Sequence, residues 1–271
     1  MSGFSAEWLQ LREPCDARSR CEELVLAVRS RLPSRPLQAL DLGSGTGANI
    51  RYMAPRLAGE QRWLAVDDEP ALLGHQPATL QGTNFRCSVS TRRLDLATEL
   101  DSLSLSEFHL VTASALLDLV SASWLQLLAS RCADARVNVM FALTYDGRVQ
   151  CMPHEPDDQW VFGLVNRHQR GNKGFGPALG PDATSYARDV FGMFGFQSRV
   201  MASDWVIEPE EQSLQRELIA GWITAAHEIA PSEAERIELW VRRRLTHLLA
   251  GTSRIRVGHQ DFIAWPKAPG G

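Results

Sequence analysis

Cysteine is scarce and unpatterned in this chain. The five cysteines, Cys15, Cys21, Cys87, Cys132 and Cys151, are odd in number, and no C-x-x-C spacing joins any two of them. Neither a zinc knuckle nor a dithiol redox centre can be read from them, so they are expected to be reduced and structural. His154, His168 and Cys151 share no ligand spacing either, and no metal is expected. Long apolar runs are absent: no stretch approaches the roughly 20 residues that cross a bilayer, and the first residues, with Glu7, Arg12, Glu13 and Asp16, lack a signal-peptide profile. A cytoplasmic protein with no membrane partner is expected. Basic charge is not in excess, because 28 Lys and Arg face 32 Asp and Glu for a formal net charge of −4. That balance gives no footing for nucleic acid, and none is expected as a partner. Repeats and low-complexity tracts are missing, apart from a terminal Pro-Gly-Gly.

What the chain does have is 271 residues with 44% hydrophobic and 22% charged content, enough to bury a core in one domain with a helical elaboration. Its organising stretch runs from Gln38 to Asn49 and reads Gln-Ala-Leu-Asp-Leu-Gly-Ser-Gly-Thr-Gly-Ala-Asn. Ala39, Leu40 and Leu42 follow the prolines Pro33 and Pro36 and read as a short buried strand ending at Gly43. Gly43, Gly45 and Gly47 then let a ligand lie against the main chain, and a helix opening at about Ala48 adds its free N–H groups. Two counts of the glycines are open. Gly43-x-Gly45-x-x-Ala48 satisfies the dinucleotide fingerprint, with Asp67 as its ribose acid. Asp41-x-Gly43-x-Gly45-x-Gly47 instead sets an acid two residues before the first glycine, a poor neighbour for a pyrophosphate and a good one for a cation.

The second count, which we favour, resembles motif I of the class I S-adenosylmethionine-dependent methyltransferases. That resemblance implies S-adenosyl-L-methionine as cofactor, with its cationic sulfonium and amino group near Asp41 and the cofactor lying on Gly43, Ser44, Gly45 and Gly47. A second strand, Trp63 to Val66, is closed by Asp67, Asp68 and Glu69. The family's acid at this place accepts both ribose hydroxyls, as an acceptor-only carboxylate can; Asp67 is the first candidate and Asp68 the second. Asp95-Leu96, after a third strand over Asn84 to Val89, resembles the adenine-binding segment. Ser114 closes a fourth strand, Phe108 to Ser114, on the cofactor side. A leading helix over residues 4–32 brings Arg18, and Arg12 beside it, toward the cofactor's methionine carboxylate. The implied fold is α/β: a Rossmann-like three-layer α/β/α sandwich with a mostly parallel seven-stranded sheet, an antiparallel last strand and a helical insertion before it. Motifs carry the resemblance over residues 38–145, topology over the rest.

Further along, Pro70 opens a helix through Leu72 and Leu73, and Trp124, Leu125, Leu127 and Leu128 continue as a core helix. Val137 to Tyr145 is the fifth strand, with Asp146-Gly147 as a hairpin turn and Val149 and Cys151 on the return. Tyr186, Val190, Phe191 and Phe194 form a helix stopped by Gly195, and Phe196 to Ile207 is a sixth strand. Residues 210–251 read as two helices, the second opened by a Ser232/Glu235 capping box, before a last strand over Arg254 to Trp265. One domain over 1–271 therefore divides into an N-terminal helical segment (1–36), a cofactor-binding core (37–145), a substrate lid loop (146–182) and a helical insertion (208–252).

The ligand crevice of an open α/β sheet lies at the carboxyl ends of its strands. Asp118, the one ionisable group among Leu116, Leu117, Leu119 and Val120, stands there as a base or substrate anchor, or as a carboxylate satisfied at a helix start. Tyr145 sits on the rim. The lid carries Arg167, His168, Arg170 and Lys173, with Phe175 between glycines to close over an apolar part of the ligand. Four potential cations in seven residues point to an anionic substrate, or else to a solvated basic loop, and His168 is also available as a general base. The reading is a methyltransferase (EC 2.1.1.-), monomer or homodimer, acting on a small anionic molecule, with Asp118, Tyr145 and His168 as catalytic candidates. An NAD(P)-dependent oxidoreductase and a non-catalytic S-adenosylmethionine-binding protein are the alternatives.

Overall fold

The computed structural model describes residues 5–33 and 36–267. Phe4, the expected start of the leading helix, and the terminal Pro-Gly-Gly lie outside the described residues. The chain opens with α1 (Ala6–Ser19) and α2 (Glu22–Arg29), then β1 (Leu37–Leu42), α3 (Ala48–Leu57), β2 (Gly59–Asp67), α4 (Pro70–Leu73), β3 (Thr79–Gln81), β4 (Phe85–Arg93) and β5 (Leu110–Ser114). It continues through α5 (Ala122–Ala135), β6 (Asn138–Met152), α6 (Asp158–Gln169), α7 (Ala183–Met193), β7 (Phe196–Ala202), β8 (Trp205–Ile207), α8 (Gln212–Ile229), α9 (Ala234–Leu249) and β9 (Arg254–Pro266).

These strands form one sheet in the order β3-β4-β2-β1-β5-β6-β9-β7, with β8 paired to β9. From β4 to β6 the pairings are parallel, while β9 runs antiparallel to both β6 and β7 and separates them. The mostly parallel sheet, its reversed last strand and the helical pair ahead of it agree with expectation. Two strands exceed the expected seven: β3 is a short antiparallel edge on β4, and β8 covers part of β9.

Burial explains why the central strands are apolar on both faces. Leu40 and Leu42 of β1 pack on one side with α5 and α7, and Leu37 and Ala39 pack on the other with α2 and α3. Phe141, Phe191 and Phe262 lock the first of these cores at centroid separations of 5.6–6.0 Å. Each such ring contributes about 1.5–3 kcal/mol through burial. A third core lies where β6 and β9 extend past the rest of the sheet, under α1, α6, α8 and α9, and it gathers Trp205, Trp222 and Trp240.

Several expected details differ. Asp146-Gly147 is no hairpin turn: β6 runs on to Met152 because β9 is long enough to pair with both halves. The surplus residues are absorbed as a bulge between Tyr145 and Val149, with Gly147 at φ +86°. The lid loop of 146–182 is mostly regular, since 138–152 is strand and 158–169 is helix, and only the five residues 153–157 and about ten before the turn at Gly180 remain irregular. The leading helix breaks at Arg20, where the Cys21 N–H bonds the buried Asp261 carboxylate at 2.9 Å. The sixth strand divides at Ser203-Asp204 into β7 and β8. Ser232 and Glu235 form no capping box, because a 3-10 turn over Pro231–Glu233 precedes α9.

Candidate functional site

The glycine loop joins β1 to α3 at the carboxyl edge of the sheet. Gly43, Gly45 and Gly47 have φ of +61°, +52° and +88°, a region costly to any residue with a Cβ. Asp41 lies beneath the loop, fully buried, and accepts from Ser44 Oγ at 2.6 Å, Asn49 Nδ2 at 2.5 Å and Thr112 Oγ1 at 2.8 Å. Burial raises its pKa, while those three donors favour the carboxylate. Asp67, at the end of β2, accepts the Gly45 N–H at 2.8 Å and the Glu69 N–H at 3.1 Å, and burial raises its pKa too. Asp68 is exposed, and its carbonyl accepts from Arg93.

Side chains rest directly on this loop. A Cβ at Gly43 would meet Leu116 at 3.4 Å, one at Gly45 would meet Leu9 of α1 at 3.1 Å, and one at Gly47 would collide with Gln76 Oε1. The leading helix therefore packs at the cradle's mouth, as its sequence implied. Gln76 was not foreseen: its Nε2 donates to Ser44 Oγ at 3.0 Å and to the Gly45 carbonyl at 2.9 Å, and its buried Oε1 has no partner among the described residues. Asp95 caps its own turn through Ala97 and Thr98, while Leu96 is buried and its carbonyl accepts Trp124 Nε1–H at 2.6 Å.

A cavity of about 190 Å³ opens at the start of α3, lined by Glu13, Asp16, Arg20, Asn49, Arg51 and Ser114 among others. Both signs of charge meet there, which suits the ammonium and carboxylate of an amino-acid group. Arg18 does not reach it; its guanidinium bonds Glu211 at 2.7 Å and the Val206 carbonyl at 3.1 Å. Arg20 stands there instead, donating to Asn49 Oδ1 at 2.9 Å and stacked 4.4 Å over the Tyr52 ring. Helical spacing alone could not separate the two arginines, since the helix ends between them. The cavity, the acid at Asp67, the apolar Leu96 and the glycine backbone fit S-adenosyl-L-methionine part by part.

Beyond β5 the chain turns at Ala115, φ +52°, into the segment holding Asp118. Asp118 is buried, and among the described residues its Oδ1 has no hydrogen-bond partner. Burial raises its pKa to about 6, against the lowering influence of Arg12, the Tyr145 N–H and Lys173. Residues 171–180 dock on this segment. Gly180 N–H donates to the Asp118 carbonyl at 3.0 Å, Leu179 N–H to Val120 at 2.9 Å, and Ala178 bridges to Ser121. Phe175 thereby meets Trp124 edge-on at 5.4 Å. Tyr145 is buried, with its hydroxyl donating to Asn166 Oδ1 at 2.8 Å, and burial raises its pKa.

The four cations of the expected lid do not act together. Arg170 pairs with Asp182 at 2.9 Å and Arg167 is exposed. His168 belongs to α6 and places Nε2 2.9 Å from Glu228. Lys173 Nζ lies 3.1 Å from His168 Nδ1 and 3.4 Å from Nε2, which sets the ammonium over the ring face rather than along either lone pair. Lys173 is the half-buried cation that interacts electrostatically with Asp118.

His259, in β9 opposite Tyr145, was not foreseen at all. In an alternating strand it carries the pattern of a core residue. The same ribbon borders a recess of about 380 Å³ beyond the bulge, lined by Arg148, Gln150, Gln159, Asn166, Asp204 and Arg256 among others. Among the described residues no group of three or more His, Cys, Asp or Glu could hold a metal ion, and no helix is long and apolar enough to cross a membrane.

No family model matches the chain, and no curated protein does. Solved structures match at low identity. A cyclopropane-fatty-acyl-phospholipid synthase-like protein from Lactobacillus casei is 15% identical with a TM-score of 0.58, over 97% of this chain and 95% of that one. The YcgJ protein from Bacillus subtilis is 13% identical with a TM-score of 0.51, over 90% and 98%. The chain has the class I methyltransferase fold. A phosphoethanolamine N-methyltransferase 2 from Haemonchus contortus, solved with S-adenosyl-L-methionine, is 16% identical with a TM-score of 0.46 over 91% of this chain and 53% of that one. Within this methyltransferase fold the glycine loop stands at the carboxyl end of β1 between β2 and β5, and Asp118 follows β5 in the same crevice.

Proposed function

We propose that this chain is an S-adenosyl-L-methionine-dependent methyltransferase acting on a small acceptor that carries a negative charge. The observation that carries the reading is Asp41, buried beneath the glycine loop and accepting from Ser44, Asn49 and Thr112. It sets a carboxylate under the loop where a dinucleotide would bring pyrophosphate, which disfavours the oxidoreductase alternative, whereas Asp67 would serve as the ribose acid in either count. Asp67 would take the ribose hydroxyls, Leu96 the adenine face, and Arg20 with Ser114 the methionine end. Asp41 would serve from beneath by fixing Ser44 and Asn49.

When bound, the cofactor supplies an activated methyl group, so the chain has to orient the acceptor, exclude water and handle one proton. Leu9, Leu116, Phe175 and Trp124 supply the apolar cover. Asp118 Oδ1 would accept a hydrogen bond from the acceptor, and Lys173 would meet its negative group. His168, held by Glu228 and Lys173, would steady that lysine rather than act as the base.

Calorimetry with S-adenosyl-L-methionine, S-adenosylhomocysteine and NADH in parallel tests the reading. The first two should bind, and Asp67→Ala should weaken them by on the order of tenfold or more, the worth of a charge-assisted hydrogen bond. Binding of NADH alone would return the site to the oxidoreductase class.

A further inference from the structure

Arg20 stands in the wall of the cavity at the start of α3, with its side chain almost wholly removed from solvent. Nη1 donates to Asn49 Oδ1 at 2.9 Å, Nη2 lies 3.5 Å from Met53 Sδ, and the guanidinium stacks on the Tyr52 ring. Asn49 has no freedom to turn away. Its Nδ2 is committed to Asp41 and Thr112, so Oδ1 is the atom left for the arginine. Arg20 Nε makes no hydrogen bond among the described residues, and the carboxylate of Asp261 stays 3.6 Å from it.

That gap is set by the backbone around Asp261. The acid is fully buried in β9, where Ala142 and Leu143 of β6 stand against it as a bulge. Leu143 is thereby placed at φ +53°, a conformation costly to a residue with a Cβ, and its N–H donates to Asp261 Oδ1 at 2.8 Å. The Cys21 N–H, just past α1, donates to Oδ2 at 2.9 Å. Each carboxylate oxygen is held by a main-chain donor from a different element, so the acid cannot follow Arg20 without giving one up. The bulge also adjoins the cavity, because Ala142 is the register partner of Ser114, which lines it.

A guanidinium buried here without an acid would be strongly unfavourable. Asp261 supplies the compensating charge and leaves the Nε–H of Arg20 uncommitted. A ligand carboxylate entering the cavity would be the second acid on one guanidinium.

We propose that Asp261 is a positioning residue that keeps Arg20 half-neutralised, so that the cofactor's carboxylate is recognised but held loosely, and the product, which carries the same carboxylate, is released. The assignment rests on the methyltransferase reading and on Arg20 meeting the methionine end. Asp261 acts through the arginine and touches neither ligand. Its charge opposes the ligand's across the width of a guanidinium, in an interior where such repulsion is weakly screened.

The test is calorimetry on the native protein and on Asp261→Asn with three probes: S-adenosylhomocysteine, its decarboxylated analogue, and 5′-methylthioadenosine, which lacks the whole amino-acid group. The native protein should prefer S-adenosylhomocysteine to the decarboxylated analogue by less than about tenfold, the lower end of what a hydrogen bond to a charged group provides. Asp261→Asn should bind S-adenosylhomocysteine about threefold to tenfold more tightly, through slower dissociation, and 5′-methylthioadenosine within about twofold of the native protein. Damage to the fold alone would weaken both. No gain for S-adenosylhomocysteine, or an equal gain for 5′-methylthioadenosine, overturns the role of Asp261. Should the variant fail to fold, the native comparison decides by itself: a preference for the carboxylate of about a hundredfold or more would mean that Arg20 is uncompensated. The two claims separate on the native protein, where failure of all three probes to bind sinks the methyltransferase reading, whereas binding without the selective gain in Asp261→Asn sinks the role of Asp261 alone.

Discussion

Asp158 and Arg244 form an ion pair at 3.0 Å in which both side chains are almost wholly removed from solvent. Trp240 Nε1–H donates to the other carboxylate oxygen at 2.8 Å, so one acid joins α6 to α9. Arg244 Nε and Nη1 are buried without partners among the described residues, which leaves Asp158 as the guanidinium's compensation. Asp158→Ala should therefore cost about 3–5 kcal/mol, the penalty of stranding a buried charge, and Arg244→Met with Asp158→Leu together should recover much of it. Urea unfolding followed by tryptophan fluorescence would show this, and a loss below about 1 kcal/mol for Asp158→Ala would contradict it.

Asp118 makes stability depend on pH in a direction unlike most carboxylates. Its folded pKa, about 6, lies above the ordinary carboxyl value of 3.8, so the folded state disfavours its charge. The contribution is fully present below about pH 4 and is lost as pH rises through about 6, at most about 3 kcal/mol. Asp118→Asn should thus stabilise the protein at pH 8, leave it unchanged near pH 4, and lower methyl transfer. Equal effects on stability at both pH values would argue that Asp118 is satisfied in a way the geometry does not contain.

Gly47 and Gln76 should behave as one unit. Alanine at 47 meets both a left-handed backbone, worth about 1–2 kcal/mol, and the Gln76 amide. Moving that amide forfeits its bonds to Ser44 and Gly45. In Gln76→Ala the collision is gone, so a double-mutant cycle on cofactor affinity and stability should give a coupling of about 0.5–3 kcal/mol. Strict additivity would mean that the amide moves without consequence.

Phe175 offers a fourth test. Phe175→Leu removes the edge-on contact with Trp124, worth about 0.5–1.5 kcal/mol, and loosens residues 171–180 over Asp118. Cofactor binding should change less than twofold while the Michaelis constant for the acceptor rises. A change confined to cofactor affinity would place Phe175 on the wrong ligand.

Sequence alone carried the parts of the molecule whose causes are local. The glycine loop and the opening of α3 at Ala48 follow from backbone freedom beside a buried strand, and they stand where the residues put them. Asp146-Gly147 has the chemistry of a hairpin turn, but the outcome was decided by β9, over a hundred residues later, whose length draws β6 onward. Arg18 and Arg20 differ by two positions, and the helix end between them sends one to Glu211 and the other inward. The lid's cations read as a cluster in one dimension; α6 and the acids Glu228 and Asp182 disperse them in three.

The position of β9 has a bearing on how the chain is made. The strand that lies between β6 and β7 is translated after both, with α8 and α9 in between. At about 5–20 residues per second, those two helices take a ribosome several seconds to deliver. Throughout that interval β6 and β7 each offer a bare edge to any neighbouring chain, the situation in which sheets pair wrongly. Crowded overexpression should therefore favour aggregates seeded by nascent chains, and slowing initiation rather than elongation should raise the soluble yield.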